Sequence, residues 1–202
     1  MSALVTEPEL SKSPTDRRPD PAPAEFGALS AAVRALFEAA ADSDAERAKQ
    51  AATTLDQAWG AALTKGVPPQ SQSQMKWDMG EMATAVDVKD WRSAQSAALR
   101  VAQNELDLRL LYQRVIDVDV ARMALWADQL PIDVAADDGG AVLADVAVLE
   151  RVWERTRHGV DSAGAVDAAL QQLRKVADAE DLSAVDGAAA ALKQALAGLH
   201  VR

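Results

Sequence analysis

Residues 91–130 read WRSAQSAALRVAQNELDLRLLYQRVIDVDVARMALWADQL, a run without glycine or proline, so nothing in it forces the backbone out of a helix. Its middle carries Leu106, Leu108, Leu110, Leu111, Tyr112, Val115, Ile116, Val118 and Val120. These apolar residues fall nearly all round a helical projection instead of on one stripe, the pattern of a helix with neighbours on most sides. A single helix of about forty residues would be about 60 Å long, which is unusual in a domain of this size. A break is therefore expected near Val115 to Asp117, where β-branched residues weaken the helix and Asp117 can cap the next one. Pro131 should kink or end the helix that follows.

The composition agrees with helices. Hydrophobic residues make up 49% of the 202, and alanine supplies much of that share, while Phe, Tyr and Ile are scarce. Alanine is the best helix former, and few β-branched or aromatic runs remain from which to build strands. The expected fold class is all-α: an antiparallel helical bundle built from about four consecutive αα-hairpins.

The segment before the bundle is different. Residues 1–25 hold Pro8, Pro14, Pro19, Pro21 and Pro23 among charged and small polar residues. Such a segment cannot bury enough apolar surface to offset the entropy of ordering it, so it is expected to be a Pro-rich flexible arm, with the helical-hairpin domain over 26–202.

Within that domain the apolar spacing is helical throughout. Phe26, Leu29, Val33, Leu36 and Ala40 recur at three and four; Asp42-Ser43-Asp44 interrupts, and Ser43 or Asp44 can cap a return helix carrying Ala48, Ala52, Leu55, Trp59 and Leu63. Gly66-Val67-Pro68-Pro69 ends that helix, with Gln70 to Ser73 expected as a loop. Comparable acidic turns follow at Asp87-Val88-Lys89-Asp90, Asp137-Asp138-Gly139-Gly140 and Asp178-Ala179-Glu180-Asp181. They recur at intervals of roughly 41 to 49 residues, within the range of helical-hairpin repeats.

Charge and motifs exclude several functions. A formal charge of −10 disfavours a protein that holds nucleic acid through a basic surface, because each phosphate contact needs Lys or Arg. The absence of cysteine removes disulfides, thiolate metal sites and a cysteine nucleophile. No apolar run is long enough to span a bilayer, so no direct membrane insertion is expected. The chain reads as soluble, cytoplasmic by default, and extracytoplasmic if a signal segment has been removed. It has no Gly-rich phosphate loop and no H-E-x-x-H, and two histidines are too few for a three-His metal site.

Three groups of residues could carry chemistry. Met75, Met79 and Met82 lie on one stripe, and thioethers prefer soft ions such as Cu(I), although methionine also fills irregular helical cores. Glu105 interrupts the apolar stripe Trp91, Ala94, Ala98, Val101, Leu108, Tyr112, with Arg109 one turn on as its partner; Asp119 and Arg122 form a similar pair. These four are candidates for a ligand site or structural ion pairs. His158 shares a face with Glu150 and Glu154, yet di-iron carboxylate bundles need E-x-x-H pairs and this chain has none. The functional expectation is a non-catalytic helical interaction or scaffold protein, an accessory subunit with a protein partner and no cofactor. The alternative is a helical bundle that binds a metal or small ligand.

Overall fold

The computed structural model describes residues 22–202. Most of the expected arm lies outside the described residues; at its end, Ala24 and Glu25 already belong to the first helix. Eight α-helices follow in order: α1 (Ala24–Ala41), α2 (Ala45–Leu63), α3 (Pro69–Asp87), α4 (Trp91–Arg109), α5 (Val115–Ala135), α6 (Gly139–Thr156), α7 (Gly164–Asp178) and α8 (Leu182–Ala197). They pair as four αα-hairpins, as the acidic turns imply.

Those four turns share one backbone geometry. Ser43, Lys89, Asp137 and Glu180 each adopt a positive φ, between 53° and 58°. The aspartate after each one, Asp44, Asp90, Asp138 or Asp181, donates its N–H to the carbonyl five residues back, at 2.9 to 3.2 Å. This six-to-one bond closes the preceding helix as a Schellman motif. The same aspartates open the next helix: Asp44, Asp90 and Asp138 accept from the backbone N–H of Arg47, Ser93 and Ala141. Asp181 instead accepts from the Ser183 hydroxyl. One residue type thus ends one helix through its backbone and starts another through its side chain.

The hairpins combine two by two. In the first unit α1 packs on α2 and α4, α3 packs on α4, and α2 touches α3, which closes an up-down-up-down four-helix bundle; α5 to α8 repeat that arrangement. Each bundle has its own core. The first contains Phe26, Leu36, Leu55, Trp59, Met75, Met82 and Leu108, and the second Met123, Leu130, Leu149, Trp153, Leu173 and Leu192. The bundles meet chiefly where α4 packs against α5.

Between α4 and α5 the break comes earlier than Val115 to Asp117. Leu110 to Arg114 form the connection, and Arg114, extended at φ −66° and ψ 145°, occupies the cap position. Asp117 lies inside the first turn, where its charge suits the helix dipole, and receives the Arg114 guanidinium at 2.8 and 3.0 Å. Gln70 to Ser73 are helical, not a loop: Pro69 stands at the first helical position, where its fixed φ is already correct and its missing N–H costs nothing. Pro131 does not end α5, which continues to Ala135; burial of Leu130 and Ile132 holds that segment.

The chain end is tied down by a two-residue antiparallel bridge, β1 (Val160–Asp161) to β2 (His200–Val201). Arg202 adds an N–H to the Gly159 carbonyl at 3.0 Å and an ion pair to Asp161 at 2.6 Å.

Candidate functional site

Where the bundles meet, a groove of about 290 Å³ runs along α4 between the walls α1 and α5. It exists because the facing positions are small: Ala98 and Ala102 on α4, Ala121 and Ala124 on α5. Helices packed through alanine leave volume that larger side chains would fill. Val33, Phe37, Leu99, Leu106 and Leu125 supply the apolar lining. From Leu99 to Arg109 the floor rises through ten residue steps of α4, about 15 Å at helical rise.

One end of the groove is polar. Glu105 is 2% exposed and receives Arg109 Nε at 2.5 Å, while Arg109 Nη2 donates to Ser30 Oγ on α1 at 2.6 Å. Ser30 in turn donates to the Phe26 carbonyl at 3.0 Å. Burial pushes the Glu105 carboxyl above the usual range; the hydrogen bond and charge of Arg109 offset this only in part. Glu38, Asp128 and Lys193 mark the opposite end, where Lys193 of α8 is paired with Asp128.

Glu105 and Arg109 were legible from spacing. Ser30 was not, because a serine within an otherwise apolar stripe carries no signal until its cross-helix partner is known. The alanines that shape the groove read simply as helix formers.

The remaining candidates occupy other places. Asp119, 1% exposed, is held by Arg155 of α6 through two bonds of 2.8 Å, and by Arg122 at 3.3 Å. Arg122 also reaches Asp107 of α4, so this network ties α4, α5 and α6 together away from the groove. Met75, Met79 and Met82 are all buried in the first core, and Met123 belongs to the second, so it does not join them. Glu150 pairs with Arg174 of α7 instead of forming a face with His158, which is exposed. Among the described residues no group of three or more His, Cys, Asp or Glu is arranged to hold a metal ion.

Two further buried carboxylate sites appear only in three dimensions. Asp78 receives Gln74 at 2.9 Å, Arg100 at 2.9 Å and Asn104 at 2.7 Å. Burial works to raise its pKa, and the three donors outweigh it, so the carboxyl lies below its ordinary range. Asp133 and Asp145 face each other across α5 and α6. Of the tryptophans, Trp59 and Trp153 are buried, whereas Trp77 is 68% exposed on the outside of α3.

No protein-family model, curated protein or solved structure matches the chain. No helix of the described residues is long and apolar enough to cross a membrane.

Proposed function

We propose that the protein is a non-catalytic interaction module whose groove between the two bundles receives an apolar helical segment of a partner protein. The observation that carries this reading is the groove itself: an apolar trough on α4, about 15 Å long by helical rise and walled by two helices, which suits helix-in-groove recognition. Its polar end supports binding over catalysis. Glu105, Arg109 and Ser30 satisfy one another, and neither histidine lines the groove to serve as a base. The formal charge of −10 favours encounter with a partner that presents basic residues around its apolar face.

Phe37 and Leu125 are the large, partly exposed wall residues, so an anchor of the partner would rest on them. The test is to isolate the tagged full chain from its native host as wild type and as Leu125→Arg. A partner recovered in stoichiometric amount with the wild type and lost with Leu125→Arg, whose melting temperature stays within a few degrees of wild type, supports the reading. Equal recovery with both rejects it.

A second reading, a small-ligand site, draws on the same volume, which stands at the lower edge of the roughly 300–1,000 Å³ common for such sites. Native mass spectrometry separates the two. A discrete added mass of a few hundred daltons on the isolated chain would favour the small ligand.

A further inference from the structure

Asp133 on α5 and Asp145 on α6 are each 8% exposed and stand close enough for one carboxyl to donate to the other. Gln129 Nε2 donates to Asp133 Oδ1 at 2.7 Å, whereas Asp145 Oδ2 is buried with no hydrogen-bond partner. Among the described residues, no Lys, Arg or His makes an ion pair with either carboxylate.

Several charged groups on the neighbouring helices are engaged elsewhere, and neither Lys175 of α7 nor Asp186 of α8 makes an ion pair or hydrogen bond with Asp133 or Asp145. Arg92, at the start of α4, donates to the Ala135 carbonyl. On α7, Arg174 is paired with Glu150 and Asp178, and Asp167 with Trp153 and Arg157. On α8, Lys193 is paired with Asp128. Two adjoining carboxylates in an apolar contact cannot both ionise without strong repulsion, and here no cation relieves it.

We propose that Asp133 and Asp145 share a single proton and form a pH-sensitive latch that fastens the α5–α6 hairpin while the proton is present and loosens it when the proton is lost. Burial first, then the hydrogen bond and charge of Asp133, push the Asp145 carboxyl up to about 7 from an ordinary 3.8. The latch is therefore set to titrate near neutrality. A folded-state pKa above the unfolded one means that the folded chain binds more protons over that interval. The stabilisation is full below about pH 4, declines as pH rises to about 7, and is flat beyond. α5 also forms one wall of the groove, through Ala121, Ala124 and Leu125, so the latch acts on a helix of the proposed binding surface. The proposal itself stands without the groove reading.

The test uses the full chain. Denaturant midpoints of wild type and Asp145→Asn are followed from pH 4.5 to 8.5; the amide keeps a donor toward Asp133 and cannot ionise. The wild-type midpoint should fall relative to that of Asp145→Asn between pH 4.5 and 7 and run parallel to it above. A gap independent of pH would overturn the proposal. Carbon-detected NMR titration of the wild-type carboxyls gives a reading free of substitution: one buried aspartate with a midpoint near 7 is expected, and all midpoints below about 5 would refute the shared proton. Millimolar Ca²⁺ or Mg²⁺ should leave the titration unchanged. If either ion abolishes it, the pair is a cation site and the latch is rejected.

Discussion

Glu105 is 2% exposed and Arg109, its partner, has a side chain 24% exposed, so the two should respond unequally to truncation. Arg109→Ala strands a buried carboxylate, a loss of about 3 kcal/mol at pH 8. The loss should shrink at pH 5. A carboxyl whose folded pKa is already raised by burial is stabilised in its protonated form, and that stabilisation fades as pH rises through the folded value. Glu105→Ala frees a long side chain that can turn to water, at a cost of under about 1 kcal/mol. The double variant should lie near Glu105→Ala, well short of the sum of the singles. Urea melts of the three variants at both pH values check this. Glu105 could be singled out in the sequence because it breaks an apolar stripe. Asp133 and Asp145 could not: each lies near an acidic turn, and only the packing of α5 on α6 brings them together.

At the scale of elements, the four acidic turns were readable because their signal is local. The helix stops, one residue adopts a positive φ, and in three of the four an aspartate side chain caps the next helix. A non-glycine residue at positive φ carries strain, so Lys89→Gly, where φ is 58°, should raise stability by up to about 1 kcal/mol. The extra freedom glycine gives the unfolded chain keeps the gain modest. Asp90→Ala should lose about 1 kcal/mol with its cap to Ser93, and Asp181→Ala less, since Asp181 makes no such bond to the helix backbone. Denaturant midpoints of the three variants order these effects. The α4–α5 connection was harder to place because it has no glycine or proline. Arg114 and Asp117 close on each other at its end, and helix propensity scarcely distinguishes this register from its neighbours. Pro131 continues inside α5 for a related reason: burial of Leu130 and Ile132 outweighs one missing backbone bond.

For the whole molecule, periodicity announced four hairpins, while their division into two bundles depends on contacts between α1 and α4 and between α5 and α8. Partners so distant in sequence leave no periodic trace in either helix. The groove is a product of that division, since alanines facing each other across a junction create volume only once the junction exists. In the reading proposed above, a segment of a partner protein occupies this groove. Site-specific photo-crosslinking in the native host tests it most directly, with benzoylphenylalanine replacing Phe37 or Leu125 on the walls, and Thr54 or Trp77 on exposed outer faces. A discrete adduct of one partner from positions 37 and 125, and none from 54 and 77, is the predicted result; adducts from the outer positions with none from the groove would contradict it.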